Sequence, residues 1–217
     1  MSQTLTILAT GAIGIVAGFA FAGIRILRLT RRLRAAQTAA LRDPLTGIAN
    51  RAGLAHAYAQ ALQAGCRLSV VVLDLDEFKS INTDHGHAGG DLLLIQVARR
   101  LSALDRPVIA VARLSGDEFA VLIDATGTEA AMLAAHQVWQ AISRWPYALG
   151  ARDVAISATI GLAVWRLGDH LSQGLRQADM AMLAAKQDGS DVRLADLASP
   201  QVLDRPAWRD RDNRHRR

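Results

Sequence analysis

Cysteine is nearly absent from this sequence of 217 residues, which contains only Cys66. A single cysteine excludes an internal disulfide framework and any metal site built from several cysteines. Cys66 is therefore interpreted as a small buried apolar residue. The length suffices for one domain with a hydrophobic core, together with some appended segments.

Charge is missing from the first part of the chain, where Leu5 to Ile24 form twenty consecutive uncharged residues. This is the length that a helix needs to cross a bilayer. A signal peptide normally has basic residues before its apolar run, whereas here arginines follow the run, from Arg25 to Arg34. Because positive charge flanks the cytoplasmic side, residues 1–24 are predicted to be a single transmembrane helix with the rest of the chain in the cytoplasm. The alternatives are a cleaved signal sequence and a buried core helix.

The formal net charge of +5 would suit a nucleic-acid-binding protein, but the distribution of the charge argues against one. Arginines are concentrated in residues 25–34 and 205–217, outside the apolar middle of the chain. Residues 25–42 are accordingly predicted to be a basic helical linker. Residues 199–217 are predicted to be a disordered, solvated basic tail. No nucleic-acid partner is expected.

Two patterns near the N-terminus favour pairing of this chain with a second copy. Small residues recur every four positions in the apolar run, which lets two membrane helices approach closely. Apolar residues then follow at spacings of three and four, as in a coiled-coil seam. Together the patterns predict a helical stalk that forms a homodimer. The residues are Gly14, Gly18 and Ala22 in the first pattern, and Ile26, Leu29, Leu33, Ala36 and Ala40 in the second.

From Asp43 onward, turn signals and hydrophobic patterns divide the chain into helices and strands. Asn50 is a good helix N-cap and Gly65 a stop signal, while Leu68 to Leu73 is a continuous apolar run typical of a buried strand. Two short apolar runs around a Gly-containing turn predict a β-hairpin. The predicted elements are a helix over 51–63, a strand over 68–73, a helix over 90–104, a hairpin of 107–112 with 119–123, a helix over 126–144, a strand over 154–164 and a helix over 171–186.

Without the first and last helices, the order of the elements is β-α-β-β-α-β. This order is typical of the ferredoxin-like α+β fold, which palm domains share, with an antiparallel sheet and helices on one face. RNA-recognition domains have the same layout but stack bases on aromatic residues of the sheet, and the strand from Leu68 to Leu73 has no aromatic residue. The domain is predicted to extend over residues 43–198.

Acidic residues occur where the first strand and the hairpin would meet. Asp74 follows the strand, and Asp117 and Glu118 lie in the hairpin turn. Adjacent buried carboxylates are unfavourable unless they are compensated, and a divalent metal, which prefers carboxylate oxygens, supplies that compensation. The pattern therefore predicts a two-metal phosphoryl-transfer site. A solvated Asp-Glu turn is the structural alternative.

Five segments, in order and with matching spacing, resemble the GGDEF family of diguanylate cyclases. The resemblance extends from Asp43 to about Leu197. The segments are Asp43-Pro-Leu-Thr-Gly-Ile-Ala-Asn-Arg51, Asp74-Leu-Asp-Glu-Phe-Lys-Ser-Ile-Asn82, Gly86-His-Ala-Gly-Gly-Asp91, Arg113-Leu-Ser-Gly-Asp-Glu-Phe119 and Ala178-Asp-Met-Ala-Met-Leu-Ala-Ala-Lys186.

The resemblance implies condensation of two GTP molecules into cyclic di-GMP and two pyrophosphates, with one GTP on each domain of a symmetric homodimer in a bacterial inner membrane. It assigns two Mg²⁺ ions per active site to Asp74, the Leu75 carbonyl and Asp117. It leaves Glu118 either to bind metal or to activate the attacking hydroxyl. The implied nucleotide contacts are Lys79 and Lys186 for the triphosphate, the main chain of Glu77, Phe78 and Lys79 for phosphate oxygens, Asn82 and Asp91 for guanine, and Gly116 for close approach.

The sequence departs from the family pattern at several positions. Ser115 replaces the first glycine of the signature, Ser190 replaces an arginine four residues after the last lysine, and Leu183 replaces a tyrosine. The family has an Arg-x-x-Asp motif that binds the product and so inhibits the enzyme. Here only the arginine of that motif, Arg106, remains, because Ile109 takes the place of the carboxylate. Ile109 is interpreted either as a loss of feedback or as a residue that fills the core. The departures leave an alternative, a catalytically degenerate domain that binds GTP or a partner protein without turnover.

Overall fold

The structure is a computed structural model in which residues 25–31, 37–125, 127–150, 152–164 and 170–195 are described. The chain divides after Ala40 into two compact units. In the first unit, residues 25–31 and 37–40 are helical, and the side chains of Ile26 and Leu29 are exposed. No helix within the described ranges is both long and apolar enough to cross a membrane. The predicted span over residues 1–24 and the predicted tail over 199–217 lie outside the described residues.

The second unit contains four helices and seven strands within the described residues. The predicted β-α-β-β-α-β core is present as β1, α2, β2, β3, α3 and β6. Sequence patterns did not predict the short hairpin β4–β5 or the strand β7, and the strand predicted from Val154 begins only at Ala158. The elements are α1 Arg51–Gln63, β1 Leu68–Leu75, α2 Phe78–Ser102, β2 Val108–Ser115, β3 Glu118–Asp124, α3 Gly127–Ser143, β4 Tyr147–Leu149, β5 Arg152–Val154, β6 Ala158–Val164, α4 Leu171–Asp188 and β7 Val192–Leu194.

The main sheet has five strands in the order β2-β3-β1-β6-β7. The first four strands pair antiparallel, as predicted, but β7 joins β6 in parallel. The sheet is therefore mixed, and the prediction of a purely antiparallel sheet is wrong at this edge. The parallel pair arises because α4 connects β6 to β7 as a crossover, which returns the chain to the same end of the sheet.

Helices cover both faces of the sheet. The core helices α2 and α3 lie on one face, as predicted, where they pack against Val71 and Leu73 of β1. The outer helices α1 and α4, which the predicted core did not include, pack against Val70 and Val72 and cover the opposite face. The physical reason is visible in β1, all of whose residues are buried, because a continuous apolar strand must be covered on both sides.

Helix ends follow the local signals in two cases and depart from them in a third. The Asn50 side chain accepts a hydrogen bond from the Gly53 amide at 2.9 Å and caps α1, which confirms that prediction. Gly189 ends α4 in the left-handed region, with φ 75°. By contrast, α2 begins at Phe78, twelve residues before its predicted start at Gly90, and contains a break at Gly86. The predicted cap at Thr126 lies outside the described residues.

Helix α4 lies unusually close to the sheet at Gly161 of β6. A Cβ at this position would overlap the Ala178 carbonyl oxygen and lie 2.4 Å from the Met182 nitrogen. Only glycine permits so close an approach of helix and strand backbones. The contact fixes α4 across β6 and β1, and thereby carries Lys186 to the end of β1 where Asp74 lies.

Candidate active site

Three carboxylates from two strands lie at one end of the sheet. The register of β1 with β3 places Asp74 opposite Glu118. The Leu75 amide donates to the main-chain carbonyl of Asp117 at 3.4 Å, which holds the hairpin turn against the end of β1. The structure therefore brings Asp74, Leu75, Asp117 and Glu118 together, as the sequence predicted from the neighbouring positions of the strands.

Negative charge dominates the surroundings of Asp117 in this cluster. Burial raises the pKa of Asp117, and the nearby charges of Asp74 and Glu118 raise it further, against a partial opposing effect of Lys186. Asp74, only 6% exposed, accepts a bond from Lys186 Nζ at 2.5 Å. Lys186 thus pairs with Asp74, while acidic neighbours dominate around Asp117, and a cation is the species that this carboxyl would attract.

The donor set of this cluster fits Mg²⁺. The Asp74 and Asp117 carboxylates and the Leu75 carbonyl are hard oxygen ligands, and proteins usually hold Mg²⁺ with one or two carboxylates, waters and substrate phosphates. In the described part of the chain, no three Asp, Glu, His or Cys side chains form a ready-made metal cage. The arrangement therefore suits an ion that arrives with a phosphate ligand better than one held by protein alone.

Ser115 contacts a catalytic candidate, which sequence reasoning did not predict. Its hydroxyl donates to Glu118 Oε2 at 2.6 Å across the hairpin turn. In the sequence this serine was interpreted only as a departure from the family pattern, in place of the first glycine of the signature. Glu118 also lines a groove of about 570 Å³ between α1 and α4, so its carboxylate is accessible from outside the protein. Ser115 therefore orients the side chain of Glu118, which a ligand in the groove could contact.

Arg113 and Asp43 connect the hairpin turn to the segment that enters the domain. Arg113 donates from Nε to the Gly116 carbonyl at 2.8 Å and from Nη1 to Asp43 Oδ1 at 3.3 Å. Burial raises the pKa of Asp43, but hydrogen bonds from Thr46 and the Arg113 charge outweigh it and leave the pKa below its usual value. Asp43 and Arg113 are each the first residue of a segment that resembles the family, and this was the sequence signal that could have identified the pair.

Gly116 and the start of α2 have the properties expected for nucleotide contacts. Gly116 has φ 39°, and a Cβ there would have no atom within 4 Å, so it faces open space. Glu77 precedes α2 in the left-handed region, with φ 56°. Phe78 and Lys79 form the first turn of α2, where main-chain N–H groups have no partner within the helix. The Lys79 side chain is exposed.

The predicted guanine-reading pair lies on α2, on both sides of its break. Asn82 is half-buried in the first part of the helix and Asp91 is exposed in the second part. The break at Gly86 folds the two parts so that the Asn82 carboxamide lies against Gly90, next to Asp91. The structure thus places Asn82 against the residue that precedes Asp91, although nine positions separate Asn82 and Asp91 in sequence.

Ser190 departs from the family pattern, and Arg106 is the residue that remains of the family's Arg-x-x-Asp motif. Ser190 donates from its amide and its hydroxyl to Asp188 and so closes a local turn after α4. Arg106 is exposed and lines a cavity of about 400 Å³ together with Arg144 and Trp145. Ile109 is 37% exposed and lies at an irregularity in the β2–β3 register, so the interpretation that it fills the core is wrong.

Comparison with known proteins agrees with this geometry. Residues 40–192 match the protein family described as "Diguanylate cyclase, GGDEF domain". The chain is 41% identical over 156 residues to the bifunctional diguanylate cyclase/cyclic di-GMP phosphodiesterase MucR of Pseudomonas aeruginosa, covering 69% of this chain and 22% of that protein. It is 35% identical over 156 residues to diguanylate cyclase DgcP of the same organism, covering 70% of this chain and 23% of that protein. The chain thus spans less than a quarter of the length of these two relatives.

A solved structure shows the same fold. The coiled coil and GGDEF domain of DgcB from Caulobacter crescentus, in complex with c-di-GMP, superimposes with a TM-score of 0.70 at 27% identity. The match covers 83% of this chain and 99% of that one.

Proposed function

This chain belongs to the GGDEF family of diguanylate cyclases, and we propose that it condenses two GTP molecules into cyclic di-GMP and two pyrophosphates. The observation that carries the proposal is the cluster of Asp74, Asp117 and Glu118 at the sheet end. Burial and the charges of Asp74 and Glu118 raise the pKa of Asp117 in spite of the opposing charge of Lys186. Phosphoryl transfer needs such a cluster, since the substrate and its metal ions complete the balance of charge.

In each half of the reaction, the 3′-hydroxyl oxygen of one GTP attacks the α-phosphorus of the other, and the bond to pyrophosphate breaks. Asp74, Asp117 and the Leu75 carbonyl would hold the Mg²⁺ ions, which polarise the α-phosphate when bound. Lys79 and Lys186 offset the triphosphate charge, and the first amides of α2 donate to phosphate oxygens. Two such steps close the cyclic product, and the hydroxyl protons pass to a base.

Glu118 borders the groove beside the cluster and is oriented by Ser115. This position supports both roles that the family resemblance leaves open, a ligand of the second metal ion and a group that activates the attacking hydroxyl. Asn82 and Asp91 read guanine. A carboxylate suits this role because the Watson–Crick edge of guanine presents two neighbouring donors.

Each domain of the proposed homodimer holds one GTP, so the reacting nucleotides meet only when two copies face each other. The charge-free residues 1–24 and the arginines after them support anchoring in a bacterial inner membrane, with the domain on the cytoplasmic side. Anchoring and stalk pairing both raise the local concentration of domains.

The test is incubation of the detergent-solubilised full-length chain with GTP and Mg²⁺, followed by identification of the nucleotide products by mass. Cyclic di-GMP and pyrophosphate are expected, and none should form when a chelator removes Mg²⁺. Binding of GTP without any product would support the degenerate alternative instead. Ser115 does not favour that alternative, because its hydroxyl bonds to the Glu118 carboxylate.

Product inhibition through the family's secondary site is expected to be weak. Ile109 offers the product no acceptor, and a missing charged hydrogen bond lowers affinity by about ten- to a hundredfold. The measurement is a progress curve with added cyclic di-GMP. Because Ile109 is on the surface, Ile109→Asp should fold normally and gain inhibition, whereas the uncharged control Ile109→Asn should gain much less. Strong inhibition of the wild type at low micromolar product, unchanged in Ile109→Asp, would contradict this expectation.

A further inference from the structure

Asn82 lies against Gly90, the neighbour of Asp91, only because α2 is interrupted. In a straight helix, positions 82 and 90 would be about 12 Å apart along the axis. The break lies midway between them, at Gly86, whose φ of 69° and ψ of 171° fall in a region that essentially only glycine adopts. The two parts of α2 can therefore fold against each other at this point.

Because of the break, the Asn82 side chain lies against Gly90. A Cβ at position 90 would lie 2.0 Å from Asn82 Oδ1, 3.0 Å from Asn82 Cγ and 3.2 Å from Phe78 Cζ. No real side chain tolerates the first of these distances. Gly90 is itself buried, and a methyl group at this position would displace the Asn82 carboxamide from its place.

We propose that Gly90 is a positioning residue for guanine recognition: its missing side chain lets the Asn82 carboxamide lie against the helix backbone beside Asp91. The proposal rests on the proposed function for the role of Asn82 and Asp91. It assigns to Gly90 no contact with the nucleotide. Gly90 acts through Asn82 alone, and this dependence distinguishes it from a glycine that serves only the packing of α2.

The first test measures nucleotide binding without turnover. The probe is 3′-deoxy-GTP with Mg²⁺, which lacks the attacking hydroxyl and cannot condense. In the full-length chain, Gly90→Ala should weaken binding by about tenfold, as expected for the loss of one hydrogen bond to the base. In steady-state assays with GTP, the same variant should raise KM while kcat changes little, since the loss affects binding in the ground and transition states alike.

The matched control is Gly89→Ala. The neighbouring glycine lies in the same helical part, so both substitutions change helix propensity equally. A Cβ at position 89 would lie 2.5 Å from His85 Cβ, so this substitution also creates a steric overlap, but one that does not involve Asn82. Gly89→Ala should therefore keep the wild-type affinity for 3′-deoxy-GTP. Equal loss in both variants would overturn the positioning role.

A double-mutant cycle with Asn82→Ala tests the mechanism directly. Once Asn82 is alanine, adding Gly90→Ala should weaken binding no further, and the loss of Tm caused by Gly90→Ala should shrink because the colliding carboxamide is gone. Additive effects on binding and on Tm would overturn the proposal. The Tm comparison needs no ligand, so it separates this inference from the proposed function. A wild type that makes no cyclic di-GMP, with coupled Tm effects, would overturn the function and leave the positioning contact supported.

Discussion

Replacing Asp117 with asparagine is expected to lower cyclic di-GMP formation by roughly a thousandfold or more and, at the same time, to stabilise the metal-free domain at pH 7. A thousandfold corresponds to about 4 kcal/mol of transition-state stabilisation, within the range that metal-bound phosphate activation supplies. Stability should rise because the Asp117 carboxylate is buried beside Asp74 and Glu118, which raises its pKa above the usual 3.8. Asparagine cannot ionise and avoids that repulsion.

The sign of the pH dependence follows from the raised pKa of Asp117. The folded state binds the Asp117 proton more tightly than the unfolded state, so the wild type loses stability as pH rises from the usual value of 3.8 through the raised one. The advantage of Asp117→Asn should therefore be full at pH 7 and vanish below pH 3.8. Thermal unfolding in the presence of a chelator measures this difference in stability between Asp117→Asn and the wild type.

Asp74→Asn is the informative comparison for Asp117→Asn. It should lose turnover as completely, but it should gain less stability than Asp117→Asn. Asp74→Asn removes the same repulsion with Asp117 and also loses the ion pair with the partly exposed Lys186, worth about 1 kcal/mol or less. The two variants thus separate catalytic loss from structural loss. Full turnover in either variant would show that the carboxylate cluster is not the active site.

Deleting residues 1–34 is expected to make activity per mole of protein depend steeply on protein concentration. If each domain holds one GTP, the rate follows the concentration of dimer. Where the dimer is the minor species, tenfold dilution should lower specific activity about tenfold, because dimer formation is second order in monomer. The full-length chain in detergent should show a much flatter dependence. The measurement is product formation per mole over a wide dilution series.

The control for the deletion replaces residues 1–34 with an unrelated dimeric coiled coil. This fusion should restore concentration-independent activity if the segment acts by bringing two domains together. A deleted chain whose specific activity stays constant across the dilution series would exclude the segment from the reaction mechanism and leave it only a role in location.

Most of the core elements could be predicted because their signals are local. A cap such as Asn50 acts on the helix that directly follows it, and the uninterrupted apolar run of β1 is read within eight residues. The first part of α2 was not predicted, because the polar residues around Gly86 obscure its helical pattern. The strands β4, β5 and β7 have three residues each, too few for a periodic signal.

The candidate site residues were predicted from the sequence alone, because the motifs with Asp74, Asn82, Asp91 and Asp117 have recognisable spacing. Only the tertiary structure decided how these residues meet. Asp74 bonds to Lys186, 112 positions away, and Asn82 lies against Gly90 across a break in its helix. Periodicity and capping act over a few neighbouring residues, whereas these contacts, and the charge imbalance that raises the pKa of Asp117, exist only after the sheet has assembled and α4 has packed across it.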